Sequence, residues 1–563
     1  MTSSLTPALV LLLGAFFVPL FPGRLRAVYM LALPLAGLWQ TMGLEHGSFG
    51  QVPLFGHTLV TLRVDKLSLL FAYIFHLAAF LSVIYALHVK DTVQQVAGLA
   101  YAGSAVGAVF AGDLVTLFVF WELTAVTSVF LIWARGGERA YRAGMRYIVV
   151  QVGSGVILLA GLAIHQYQTG SLAFDRIGIG TLGGDLIFLA FGIKCAFPLL
   201  HNWLQDAYPE ATITGTVFLS AFTTKLAVYA LARGYAGTEM LIWIGATMTA
   251  FPIFYAVIEN DLRRVLAYSL NNQLGFMVVG IGIGTEMALN GTAAHAFCHI
   301  LYKALLFMSM GAVLLRTGKI NGSQLGGLYK SMPWTTGFCI VGAASISAFP
   351  LFSGFVSKSL ILTAAAENGH WITWTVLLFA SAGVFHHSGI KIPYFAFFAH
   401  DSGIRVKEAP WNMLIAMALT AFLCIAIGVY PAPLYAILPF PVDFAPYTAS
   451  HVITQLQLLM FSALAFAVLM RTGLYPPELR SVNLDSDWLY RRALPAGIGA
   501  MVAWLTAVRR DAIAFSIRLF DRFMVVVFHY HGPHGVLART WPIGGGAIWV
   551  LVLLAGFLII YYL

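Results

Sequence analysis

Ionisable side chains stand where this sequence is otherwise apolar. Glu122 lies in Phe-Val-Phe-Trp-Glu-Leu-Thr, Lys194 in Phe-Gly-Ile-Lys-Cys-Ala-Phe-Pro, Lys225 in Ala-Phe-Thr-Thr-Lys-Leu-Ala-Val-Tyr, and Lys358 in Ser-Gly-Phe-Val-Ser-Lys. His295, His299 and Lys303 follow one another at i, i+4 and i+8, so on a helix they share one face. A charge at the centre of a bilayer costs about 2.5–3.5 kcal/mol on insertion scales, which makes each such residue a functional candidate.

Structural pairing accounts for one Glu–Lys pair as well as function does. It does not account for Lys194, Lys225, Lys303 and Lys358 set against Glu122 as the one obvious acid. A buried lysine without a carboxylate partner is destabilised in its charged form, and one that loses its proton near neutrality can load and release a proton. The two histidines also fit half of a zinc site, but no third Cys, His or acidic ligand stands nearby in sequence, so no metal is expected. With Lys303 one turn further on, a proton path is the better reading, since histidine titrates where such a path must work. His386, His387 and Lys391 are weaker candidates for lining its exit. They sit near the cytoplasmic end of a span, where a long side chain can snorkel to water.

The elements that position these residues must be membrane helices. Of 563 residues 60% are hydrophobic and only 10% charged, against roughly 25% charged in soluble proteins. Apolar runs near the ~20 residues that a spanning helix needs recur throughout, which excludes a β-barrel. About sixteen spans are predicted, including 114–133 for Glu122, 184–200 for Lys194, 212–232 for Lys225, 288–315 for the histidines and Lys303, and 334–363 for Lys358. The first, near 6–22, lacks a basic n-region and an A-x-A site and is expected to be retained. The net charge of +9 resides mostly in short connections, so it does not point to nucleic acid. The four cysteines fall inside apolar runs and no dinucleotide-binding glycine motif follows a strand pattern, so no cofactor is expected.

With the N-terminus outside, the inside loops hold Arg24, Arg26, Lys90, Arg135, Arg139, Arg142, Arg263, Arg264, Arg316, Lys319, Lys330, Arg405 and Lys407. The outside loops hold little more than Arg63, Lys66, Arg176 and Arg233, the bias of an inner-membrane protein in that orientation. Pro198 follows Lys194 by four residues, and Pro350 and Gly354 precede Lys358, so both helices should break. They are the seventh and twelfth spans, an odd offset, so they run in opposite directions across the membrane. Broken helices at matching places in inverted units mark a transporter's centre. The expected organisation is N-terminal helices 1–92, a five-helix unit 93–235, a second inverted unit 236–400, core helices 401–475, and 476–563 with a last span near 543–562. Within 471–542, Arg510, Asp511, Arg518 and Arg522 recur at helical spacing. That segment reads either as an amphipathic helix along the membrane surface or as a span near 493–507 followed by a cytoplasmic helix.

At these residues the chain resembles the antiporter-like family: the large membrane subunits of respiratory complex I, the D-type subunits of Mrp cation/proton antiporters, and hydrogenase relatives. The resemblance covers about 60–435 and rests on ordered motifs. These are Trp121-Glu122, Lys194 with Pro198 and Leu200-His-Asn-Trp-Leu-Gln-Asp-Ala207, Asp261-Leu-Arg-Arg-Val-Leu-Ala-Tyr-Ser269, His295…His299…Lys303, Ser353-Gly-Phe-Val-Ser-Lys358, and Gly428-Val-Tyr-Pro431. It implies that Glu122 modulates Lys194 by pairing and parting, that Lys225 bridges to the second half, that His295, His299 and Lys303 continue the axis, and that Lys358, a glutamate in some relatives, ends it. It also implies partner membrane subunits and two inverted five-helix bundles. Pro209-Glu-Ala-Thr-Ile-Thr-Gly-Thr-Val-Phe218 resembles the D-type proteins, whereas the tail beyond about 480 resembles longer relatives. Expected functions are therefore the proton-moving subunit of a Na⁺ or K⁺/proton antiporter, the pump module of a redox complex, or the ion-coupled partner of a carbon-uptake protein. A sodium site wants oxygen ligands, and this interior offers one carboxylate among ammonium groups, so any metal cation is expected to cross elsewhere in the complex.

Overall fold

Lipid offers no partner for backbone polar groups, so long apolar stretches fold as helices, and capping side chains decide where many of them begin. The computed structural model describes residues 5–54, 56–479, 483–540 and 542–563. Helices α1 (Ala8–Phe17) and α2 (Gly23–Met42) come first. An antiparallel hairpin of β1 (Gly47–Leu54) and β2 (His57–Val64) comes next, with Gly47 opposite Val64. This hairpin departs from the all-helical expectation, because two eight-residue strands vanish in hydropathy averaged over a span's length.

The first charged half contains α3 (Lys66–Ala86), α4 (Thr92–Phe110), α5 (Leu114–Trp133) and α6 (Gly137–Thr169). It continues with α7 (Leu182–Lys194), α8 (Asn202–Ala207), α9 (Gly215–Ala221) and α10 (Thr223–Gly234). Asp113 caps α5 by accepting from the Thr116 amide at 2.7 Å, and it also accepts from the Val60 amide at 2.8 Å. One carboxylate thus ties the hairpin to the head of the helix that carries Glu122.

The second half repeats the plan with α11 (Met240–Ile258), α12 (Leu262–Ile283), α13 (Glu286–Thr317), α14 (Pro333–Ile346), α15 (Ser353–Glu367) and α16 (Trp371–Val384). Asp261 caps α12 as Asp113 caps α5, accepting from the Arg263 and Arg264 amides at 2.9 and 3.1 Å. The long helices correspond too: α6 has 33 residues and α13 has 32.

Both breaks are built alike. Ala196-Phe-Pro-Leu199 follows α7 and Ala348-Phe-Pro-Leu351 follows α14. Ala196 and Leu199 have φ of 62° and 69°, Ala348 and Leu351 of 57° and 74°. Left-handed backbone is unfavourable for residues with a Cβ, so its recurrence at the same four-residue phrase marks a maintained device. Phe197 donates back to the Gly192 carbonyl and Phe349 to that of Ala344, each at 3.0 Å. Gly354 lies one residue inside α15, where a Cβ would collide with the Ser345 carbonyl.

After α16 the chain widens into π-type turns at Phe385–Ile390 and Tyr394–Phe398, around the short α17 (Lys391–Pro393). Pro393 has no amide proton to give, so regular helix cannot pass through it undisturbed. Helices α18 (Trp411–Val429), α19 (Ala432–Ala436) and α20 (Ala449–Thr472) complete the unit Met1–Asn483. Leu484–Leu563 forms a second unit with α21 (Leu494–His531) and α22 (Ile543–Tyr562). No break divides 493–507 from the residues after it; α21 is one helix of 38 residues.

Among the described residues ten helices are long and apolar enough to span a membrane. The other expected spans are helical as well. Breaks shorten them, as in α7 and α14, or polar residues dilute them, as in α12. The chain is a multi-pass helical membrane protein.

Candidate functional site

Glu122 and Lys194 face each other across α5 and α7 without touching. The Lys194 ammonium donates to the Trp121 carbonyl at 2.5 Å and the Thr124 hydroxyl at 3.0 Å, and lies 4.4 Å from the centre of the Trp121 ring. Both oxygen partners flank Glu122 on α5. Among the described residues no ion pair joins the two, and Oε1 of Glu122 is buried without a hydrogen bond. They remain within electrostatic reach. Gly155 of α6 makes room for the carboxylate, since a Cβ there would overlap it. Gly155→Leu is therefore expected to displace Glu122; a structure of the variant with Glu122 unmoved would mean that the space is not needed to place it.

Lys225 stands just inside α10, where the helical run from α9 is interrupted at Phe222. Its ammonium donates to the Ser220 carbonyl at 2.6 Å and the Thr224 hydroxyl at 3.3 Å. Cys195, in the first break, is within its electrostatic reach, as are His295 and His299 on α13. Lys225 therefore lies between the broken end of α7 and the second half.

His295 sits opposite the Ser357 hydroxyl at 3.1 Å and lies 3.3 Å from the Tyr302 hydroxyl, which donates to the Gln273 side-chain oxygen at 3.1 Å. Neither ring nitrogen of His299 has a hydrogen-bond partner among the described residues. One turn on, Lys303 donates to the Ser269 hydroxyl at 2.8 Å. Ser388 donates to Ser269 at 2.7 Å, and His387 Nδ1 lies 2.8 Å from Ser388. Lys303, Ser269, Ser388 and His387 thus form an unbroken hydrogen-bonded row from α13 through α12 to the π-type turn. Hydroxyls accept and donate at once, so such a row can pass a proton by successive hops. Lys358 stands apart, donating to the Ile346 carbonyl at 2.8 Å with its ammonium 5.0 Å from the centre of the Phe276 ring.

Lys391 does not snorkel. Its side chain is fully buried, donates to the carbonyls of Val257 and Glu259 at 2.6 Å each, and pairs with Glu478 at 2.9 Å. The π-type turn aims it at the C-terminal end of α11 instead of at water. His386 stacks on Tyr475, with ring centroids 5.6 Å apart and planes 13° apart.

Residues 111–385 match the family described as NADH:quinone oxidoreductase/Mrp antiporter, TM. That segment contains every residue from Glu122 to Lys358. Just under half of the chain is thus similar to the antiporter-like family. Among similar proteins, the D-type subunit of the Na(+)/H(+) antiporter of Alkalihalophilus pseudofirmus is 31% identical over 294 residues, 48% of this chain and 59% of that protein. The NADH-quinone oxidoreductase subunit N of Desulforudis audaxviator is 33% identical over 304 residues, 50% of this chain and 60% of its own length. The chain thus spans about three fifths of each of these curated relatives. The solved Mrp complex from Dietzia sp. DQ12-45-1b superposes with a TM-score of 0.76 at 24% identity, covering 99% of this chain and 62% of that one, a likeness of fold.

Sequence reasoning missed the groups that hold Lys303 and Lys391. Ser269 lay in a motif noted for its arginines, and Ser388 beside two histidines that drew attention first. Glu478, in Tyr475-Pro-Pro-Glu478, had no apolar run around it to make it conspicuous.

Proposed function

We propose that this chain is the proton-moving subunit of a multisubunit antiporter that exchanges protons for Na⁺ or K⁺ across a bacterial inner membrane, its N-terminus outside. The observation that carries this reading is fully buried Lys303, joined through the Ser269 and Ser388 hydroxyls to the His387 imidazole, with Lys194, Lys225 and Lys358 likewise at most 1% exposed and held by carbonyls and hydroxyls. Buried ammonium groups paired only with neutral dipoles can be discharged at modest cost. In this reading Glu122, Lys194 and Lys225 serve the first half, and His295, His299, Lys303 and Lys358 the second.

The identity to a D-type antiporter protein supports the antiporter, and the slightly higher identity to an oxidoreductase subunit N supports a redox-driven pump as the second reading. Mild-detergent purification of the tagged protein separates them. Co-eluting small hydrophobic subunits without cofactors, followed by cation-dependent proton movement in everted vesicles, are expected. Flavin or iron–sulfur subunits would replace the first reading by the second, and a soluble zinc protein as sole partner would replace both by carbon uptake.

Ser388→Ala tests the row directly. It deletes the hydroxyl between Ser269 and His387 while leaving volume nearly unchanged, so proton flux is expected to fall severalfold with assembly intact. A wild-type flux in vesicles would remove the hydroxyl row from the path.

A further inference from the structure

The hydroxyl row ends at His387, and Lys391 follows four residues later on the same distorted segment. Lys391 faces a carboxylate from a distant part of the chain. Glu478 lies beyond α20, between Pro477 and Leu479, both exposed, yet its side chain is only 7% exposed. Its Oε1 stands 2.9 Å from the Lys391 ammonium.

Glu259, at the end of α11, is close enough to repel Glu478 and is itself held by the Asn483 amide at 3.2 Å and by Arg264 at 3.9 Å. Among the described residues, Tyr475 and the His386 ring are the other titratable groups beside this pair. A turn of chain presenting a buried carboxylate to a buried ammonium, with solvent-facing residues on either side, is the arrangement of a group that trades protons between interior and water.

The geometry points to Glu478 as the terminal proton acceptor of the second half, taking its proton from Lys391 and delivering it to solvent. The inference rests on the transport reading above and adds a residue to it. The step balances simply. The Lys391 ammonium gives one proton to the Glu478 carboxylate, leaving an amine and a carboxylic acid; the acid releases the proton to water, and the amine is recharged from the His387 side. Burial raises the pKa of the Glu478 carboxyl above the ordinary glutamate value against the opposing pull of Lys391, which brings acid and ion pair closer in energy. The carbonyls of Val257 and Glu259 keep Lys391 in place through the exchange.

The test uses the complete complex in everted vesicles with four variants: Glu478→Gln, Glu478→Asp, Lys194→Ala, and Glu138→Gln, the last at an exposed surface ion pair with Arg142. Glu478→Gln is expected to slow proton transport about a hundredfold, the lower end of what one positioned proton-transfer group contributes. Glu478→Asp should recover part of the rate, and Glu138→Gln should match wild type. Infrared difference spectra across a pH jump should show a protonated-carboxyl band that is absent in Glu478→Gln. A wild-type rate in Glu478→Gln beside an inactive Lys194→Ala would overturn the assignment of Glu478 alone. So would a slow Glu478→Gln that keeps the carboxyl band and is not helped by aspartate, since packing would then explain the loss. Full transport in both Glu478→Gln and Lys194→Ala would overturn the transport reading itself.

Discussion

Lys194→Ala is expected to reduce proton transport to background while the complex still assembles. The side chain is fully buried and its ammonium is held by a carbonyl and a hydroxyl, with Glu122 close but unbonded. Removing one partner of a tight buried ion pair strands the other charge and destabilises the fold. Here Glu122 is already partly exposed and has no ion-pair partner among the described residues, so alanine removes the titrating group without stranding a new charge. Lys194→Arg sharpens the point, because a guanidinium keeps the charge but does not release its proton in a protein. It should be as inactive as alanine, which a structural cation would not be. Proton uptake followed with a pH-sensitive dye, alongside a native gel of the complex, reads both properties. An arginine variant pumping like wild type would mean that only charge matters at this position.

Those parts of the site that follow from local sequence were legible. A charge inside an apolar run announces itself through its insertion cost, which is why Glu122, Lys194, Lys225 and Lys358 could be named. The face shared by His295, His299 and Lys303 follows from helical periodicity alone, and Pro198 and Pro350 mark breaks because proline lacks a donor. Contacts made by the tertiary fold were not legible. The bond between Ser388 and Ser269 joins residues 119 apart, and a serine in an apolar segment carries no sign of whether it bonds its own helix or a neighbour's. Lys391 was expected to reach water because long side chains near span ends do so. The π-type turn at Phe385–Ile390 turns it inward, and no residue of that turn except the later Pro393 hints at it. Glu478 was hidden because its surroundings read as an ordinary loop.

Three of the buried lysines, Lys391 in addition to its pairing with Glu478, draw on the ends of helices to stand in lipid. Lys225 takes a carbonyl at the end of α9, Lys358 that of Ile346 at the end of α14, and Lys391 those at the end of α11. Helix C-terminal carbonyls have no intrahelical donor and carry partial negative charge, so each broken or ended helix supplies half of a counter-ion. This explains why breaks and lysines coincide: the break creates the acceptors. It also relates the two halves. Lys194 is the last residue of α7, two before Ala196, and Ile346 stands two before Ala348 in the matching phrase. Lys358 therefore reaches from the far side of its break to the carbonyl of the residue that corresponds to Lys194.

That correspondence makes the two broken ends respond differently to an introduced acid. Lys358→Ala should abolish transport as Lys194→Ala does, since it empties the matching end of the second break. Lys358→Glu should keep part of the activity, but by a different route. A carboxylate facing the Ile346 carbonyl is repelled by it, whereas a protonated glutamic acid can donate to that carbonyl as the ammonium does. The variant should therefore work when its carboxyl is protonated and fail when it is not, so its transport should decline as pH rises through the carboxyl's titration. Lys194→Glu gains no such rescue, because Glu122 is already beside it and two acids would compete for one proton. Transport rates of Lys358→Glu measured across pH in the same vesicles decide it. A rate independent of pH, or activity in Lys194→Glu equal to that in Lys358→Glu, would show that the two broken ends do not work as this geometry requires.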